Sequence, residues 1–160
     1  VNELTFATAP TTGSPTISAT GSDSNINIQL TPKGTGIVKG ELKRFMVRLL
    51  ANTTDTATGT TIGGDYRISN RAITVKAVGA YVDTAGTTGV CTFDINEAGT
   101  TILSTKITID STEKSSETAA TPPVISDAAI AADAVVTFDI DAINTTPAKG
   151  LVVWVDYCYA

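Results

Sequence analysis

The sequence predicts an all-β protein: a jelly-roll-like antiparallel β-sandwich over residues 41–160, preceded by an extended N-terminal β-arm over residues 1–40. Three observations lead there. Hydrophobic residues make up 42% of the chain and charged residues only 17%, the balance being mainly Thr, Ser, Asn and Gly. β-Branched side chains in that abundance suit a pleated, half-buried surface. Apolar residues recur with period two in several stretches, and Gly, Pro, Asn and Asp punctuate them as turn residues do. The length of 160 residues provides for one core plus an appendage.

The appendage comes first. Between Pro15 and Gly36 short β runs alternate with turn residues, and little is available to bury. Ile17 lies in the first run. Ile26, Ile28 and Leu30 then alternate with Asn25, Asn27 and Gln29, so one side of a short strand is apolar and the other amide-rich. Gly21-Ser22-Asp23 before it and Pro32-Lys33-Gly34 after it supply turn chemistry, since Gly reaches positive φ and Pro lacks a ladder donor. A lone strand of this kind needs a partner surface. Ile17, Ile26, Ile28, Leu30, Pro32, Ile37 and Val38 are therefore expected to contact neighbouring subunits. Fully extended, 40 residues reach roughly 130 Å.

From Glu41 the character changes. Lys43 to Ala51 is densely apolar and is expected to be a strand leading into a Thr/Gly-rich excursion over 52–64. Its basic residues, part of the cluster from Lys39 to Arg48, read as a solvated hinge between arm and domain. Arg71 to Val82 alternates, with Ile73, Val75, Ala77 and Tyr81 expected on one side and Thr74, Lys76 and Ala80 on the other. Residues 90–96 and 101–109 are expected to form a hairpin around Asn96-Glu97-Ala98-Gly99. Ser111 to Pro123 is polar and reads as a long crossing of the Greek-key type. Val135–Ile140 and Leu151–Tyr159 supply the last strands, giving about seven or eight in all, as in a jelly roll or a related sandwich. Thr92-Phe93-Asp94-Ile95-Asn96 and Thr137-Phe138-Asp139-Ile140-Asp141 repeat one pattern, with Phe and Ile expected inward and Asp94, Asp139 and Asp141 outward and exposed.

Two stretches carry a family resemblance. The alternation of residues 15–30 closed by Thr31-Pro32-Lys33-Gly34-Thr35-Gly36 resembles a motif of fibre and surface proteins of tailed bacteriophages. The later part resembles a module of phage fibres and head-surface proteins. It runs from Ala72-Ile73-Thr74-Val75-Lys76 through Val124-Ile125-Ser126-Asp127 and Thr137–Asp141 to Lys149-Gly150-Leu151. The resemblance implies a virion component assembled in the host cytoplasm: a homotrimeric capsid decoration or cement protein, partnered by the major capsid protein or other virion proteins. It leaves open a tail-fibre or tailspike tip binding a host surface glycan. A free carbohydrate-binding module is a third reading.

The chemistry of the chain narrows these. Histidine is absent, which removes Ser-His-Asp and Cys-His arrangements and the common zinc sites. Asp94, Asp139 and Asp141 are the one conceivable carboxylate pair or calcium site, but they read better as a solvated sheet face; no catalytic residue, metal ligand or cofactor is assigned. The net charge of −5 disfavours a nucleic-acid partner, and no apolar run is long enough to cross a membrane as a helix. The start lacks a signal-peptide layout, so an unsecreted chain is expected. Tyr66, Tyr81, Trp154, Tyr157 and Tyr159 serve either a sugar platform or a core and subunit contact. Cys91, on the face of Phe93 and Ile95, reads as a buried free thiol, and a disulfide to Cys158 is disfavoured. Asn52-Thr53-Thr54 and Asn144-Thr145-Thr146 match the glycosylation pattern, as a Thr-rich chain does by chance.

Overall fold

The computed structural model describes residues 3–7, 16–22 and 42–160. The chain divides into two compact units, Val1–Val38 and Lys39–Ala160. In the first, β1 (Glu3–Ala7) pairs antiparallel with β2 (Thr16–Thr20), Phe6 lying opposite Ile17 and Leu4 opposite Ala19. Most of the extended arm expected over residues 1–40 lies outside the described residues; its described portion is this two-stranded ribbon. Of the arm residues, Ile17 is in β2, whereas Ile26, Ile28, Leu30, Pro32, Ile37 and Val38 lie outside the described residues.

The second unit is all-β and antiparallel, with one short 3-10 turn, Ser116–Thr118, and no α-helix among the described residues. Its strands are β3 (Lys43–Asp55), β4 (Ile73–Thr84), β5 (Cys91–Glu97), β6 (Thr100–Thr101), β7 (Leu103–Thr105), β8 (Ile107–Ile109), β9 (Val124–Ile125), β10 (Ala129–Ile130), β11 (Val136–Ala142) and β12 (Lys149–Tyr159). One sheet runs β10-β4-β12-β3; the other runs β11-β5-β6, with β8 also paired to β5, and β7 pairs β9. The inward rows of both sheets form one core. β4 and β12 contribute Ile73, Val78, Val82, Leu151, Val153 and Val155, and the facing sheet contributes Phe93, Ile95, Ile107, Ile109, Phe138 and Ile140. Alternate residues of each strand supply these rows because the side-chain period of a strand is two.

Three expectations are corrected. In β4 the alternation changes phase: opposite β12, Asp156 pairs with Ala77 and Tyr157 with Val75, so Lys76 is an extra residue, a bulge. Beyond it Val78, Ala80 and Val82 are buried, and Tyr81 shares the opposite face from Ile73 and Val75. The segment 101–109 is three short strands, because β7 leaves the β5 partnership to pair with β9. The basic segment from Lys43 belongs to β3 itself, which continues to Asp55, and Arg44 and Arg48 form ion pairs there in place of a hinge.

The β5–β6 connection is the two-residue turn Ala98-Gly99, with φ of 48° and 83°. Positive φ at both positions defines a type I′ turn, whose twist matches the flanking strands and which Gly99 enters without Cβ strain. The paired five-residue repeats are neighbours: β11 lies against β5 with Phe138 opposite Ile95, Asp139 opposite Asp94 and Ile140 opposite Phe93.

Candidate interaction surface

The outward face of the first sheet is assembled from three rows. Directly opposite residues of an antiparallel pair share a face, so Arg44, Asp156 and Ala77 form one row, Met46, Trp154 and Gly79 the next, and Arg48, Val152 and Tyr81 the third. Arg44 grips Asp156 with both ends of its fork, Nε donating to Oδ1 at 2.6 Å and Nη2 to Oδ2 at 2.8 Å. Its guanidinium also lies 4.3 Å from the Trp154 ring centroid, a cation–π geometry. Beneath the indole, Gly79 leaves room that no other residue would: a Cβ there would collide with the ring and with Ser116 Oγ. Arg48 reaches across Val152 to Asp83, and Val152 is buried though it faces outward.

These pairs fix the ionisation of the face. The hydrogen bond from Arg44 holds the Asp156 carboxyl below the usual carboxylate range, against the opposing effect of burial. Arg48 does the same for Asp83. Met46 stands among these locked charges with 51% of its surface exposed, and Leu42, just before β3, is 61% exposed. They are two of the four exposed large hydrophobic residues among the described residues.

The aromatic residues singled out in the sequence do not gather in one place. Trp154 and Tyr81 are on this outward face. Tyr157 and Tyr159 are inward, edge to face at 6.2 Å, with Tyr157 in the core, where burial pushes its hydroxyl pKa up. Tyr66 packs edge-on against Phe138 at 5.4 Å and Phe45 at 6.2 Å, and its hydroxyl donates to the Gly63 carbonyl.

The other sheet presents a polar face. Asp94, expected to be exposed, is only 4% exposed. Thr101 Oγ1 donates to its Oδ1 at 2.6 Å, the Ile95 N–H at 2.8 Å, and Lys106 Nζ lies 3.0 Å from Oδ2. The return strand peels away at Ile102, which lets Thr101 and Lys106 cap the carboxylate; nothing in the five-residue repeat announces that. Lys106 also bonds Asp141 at 2.8 Å, and these two carboxylates raise its pKa, Asp141 contributing first. Asp139 accepts from the Thr61 N–H and from Asn96 Nδ2. Each carboxylate thus holds structural donors, and no group of three or more His, Cys, Asp or Glu among the described residues is set to hold a metal ion.

At one end of the sandwich Cys91 is fully buried and unpaired, its thiol donating to Asn144 Oδ1 at 3.0 Å, while Asn144 Nδ2 donates to the Gly89 carbonyl at 2.7 Å. Asn144 is 2% exposed, so this sequon is closed to a glycosylating enzyme in the folded chain. Cys158 is also unpaired. No helix among the described residues is long and apolar enough to cross a membrane.

No protein-family model matches the chain, and no curated protein matches it.

What sequence reasoning missed is the edge of β3. Among the described residues the sheet order ends on this strand. The outward row Arg44, Met46 and Arg48 was legible as alternation, but the edge position of the strand follows only from long-range pairing.

Proposed function

We propose that this chain is a structural protein of a tailed-bacteriophage virion, a homotrimeric decoration or cement protein that stabilises the head by fastening neighbouring subunits. The observation that carries this reading is the division of the chain: a first unit whose described secondary structure is only a two-stranded ribbon, joined to a β domain with a full core. A two-stranded ribbon is marginal in water and gains stability by joining a larger sheet. Main-chain pairing needs no dedicated side-chain chemistry, which agrees with a chain free of histidine whose carboxylates are held by structural donors. Contacts spread over several subunits raise each other's effective concentration, so weak bonds add up to a durable clamp. The jelly-roll character of the domain and its phage setting rest on the resemblance of residues 15–36 and 72–151.

The test is the mass of the chain in solution, with and without residues 1–40, together with the heat resistance of capsids to which each form is added. The full chain is expected to be trimeric and to raise the temperature at which capsids rupture. The shortened chain should retain its β spectrum and lose assembly. Monomers for both forms, with no capsid binding, would sink the reading.

A further inference from the structure

We propose that the loop end of the second unit, formed by residues 85–90, 111–112 and 144–147, is a protein-docking surface that seats the domain on an uncharged patch of the particle, with Thr88 as a specificity-determining contact. The inference deepens the fastening role proposed above and rests on it.

The surface stands at the end of the domain away from the entry of the chain. Leu42 precedes β3, whose first residue, Lys43, lies opposite Tyr157 near the finish of β12. The three loops gather at the other end, where Lys149 begins β12 opposite Thr84. The eleven residues of β12 separate the two ends by roughly 33 Å.

The loops are tied to one another. Thr87 and Thr146 exchange N–H···O bonds at 3.1 and 3.2 Å, the Thr145 N–H reaches the Thr88 carbonyl at 2.9 Å, and the Thr112 N–H reaches the Gly86 carbonyl at 2.8 Å. Ser111 Oγ accepts from the Thr88 N–H at 2.8 Å. Buried Asn144 roots the set: its Nδ2 donates to the Gly89 carbonyl, and its side chain fills the space that a Cβ on Gly86 would need. A surface fixed in this way loses little conformational entropy on binding.

Within this frame two threonines are held at a cost. Thr88 and Thr112 have φ of 60° and 68°. A β-branched residue is an outlier in that region, which glycine enters without Cβ strain. Thr112 has a local use, since its hydroxyl donates to the Ser111 carbonyl. Thr88 has none: it is exposed, and among the described residues only its main chain is bonded. A strained side chain that does nothing for its own fold points to a contact outside it. Thr87, Thr145 and Thr146 are exposed beside it, and Val90 is 38% exposed. Hydroxyls that both donate and accept, set among methyl groups, suit a neutral hydrogen-bonding surface, and none of the residues in the three loops is charged. None is aromatic either, so no ring stands there to carry a sugar, which favours a protein over a glycan.

Binding of the full chain to undecorated capsids, followed by co-sedimentation, tests the surface. Thr88→Gly removes the side chain and the strain together. Thr88→Asn supplies a residue that tolerates positive φ, so that a loop loosened by glycine is not mistaken for a lost contact. Both variants are expected to unfold at the same urea concentration as the parent chain or a higher one, and to bind at least about tenfold more weakly. Thr100→Ala, at the exposed β5–β6 tip, should bind as the parent does. Thr88 variants that bind like the parent overturn the inference. So does earlier unfolding of both, which would give the side chain a role in the fold, and so does binding that dextran competes away, which would make the ligand a glycan. A parent chain that binds no capsid removes the fastening role as well, whereas a parent that binds equally with its Thr88 variants removes only this surface, so the two failures are told apart.

Discussion

The edge of β11 and the edge of β3 differ in what the described residues place beside them. Both border a sheet that covers the same core, and both would expose a row of main-chain donors and acceptors. β11 is closed by the chain's own segment 59–66, anchored by Tyr66 between Phe45 and Phe138. β3 ends the sheet order among the described residues, and Met46 and Leu42 stand exposed on it and just before it. An edge sealed locally contributes to the stability of the subunit, whereas an unsealed one is the place where stability can come from a neighbour.

The largest effect should come from behind the sealed edge. Phe138→Ala removes a ring that is 1% exposed and packed against Tyr66, and should cost about 3–5 kcal/mol in urea unfolding. If the loss is under about 1 kcal/mol, the segment 59–66 is not held by the core and the contrast between edges collapses. Asp94→Ala should follow at about 1–3 kcal/mol, since the Thr101 hydroxyl and the Ile95 N–H lose their acceptor in a buried setting. Asp141→Ala, on the exposed side of the same lysine, should stay within about 0.5 kcal/mol. On the outward row of β3, Met46→Ala should also change unfolding by no more than about 0.5 kcal/mol. A Met46→Ala variant as costly as Asp94→Ala would mean that Met46 packs within its own subunit.

The smallest effect is on pH dependence. Asp156 and Asp83 have folded pKa values below their unfolded ones, so the contribution of each pair is complete above the ordinary carboxylate range, near pH 4, and is lost as pH falls through the depressed value. Lys106 is shifted the other way, so its contribution is complete below the ordinary lysine value, about 10.4, and fades as pH rises through the raised one. Arg44→Leu should flatten the acid limb, and Lys106→Met the alkaline one, in chemical unfolding followed across pH. An acid limb unchanged by Arg44→Leu would show that the fork on Asp156 is not maintained in solution.

Much of this was legible along the chain. Val, Ile, Phe and Thr at period two placed β5, β11 and β12 almost to the residue, because alternation is local and each strand buries one face. The repeat of Thr-Phe-Asp-Ile was legible as an equivalence, but not that the two copies would lie side by side with Asp94 facing Asp139, since pairing depends on residues more than 40 positions apart. The phase change at Lys76 was hidden for a similar reason: a bulge is set by the register against β12, and Ala77, Gly79 and Ala80 are too small to declare a face. Tyr66 gave no sign of its place under the β11 edge, because an isolated aromatic in a Gly-rich stretch looks the same whether it covers a core or meets a ligand. The outward row of β3 was readable; its place at the end of the sheet order was not.

The Ala98-Gly99 turn carries a practical corollary. Gly99, Thr100 and Thr101 are exposed, and the tip is tied by the short ladder of β5 and β6 and by the Ala98 N–H on the Val135 carbonyl, the kind of site where extra sequence is tolerated. A peptide epitope grafted between Ala98 and Gly99 would project from the molecule without disturbing Phe93 or Ile95, making this hairpin a natural mount for a displayed peptide.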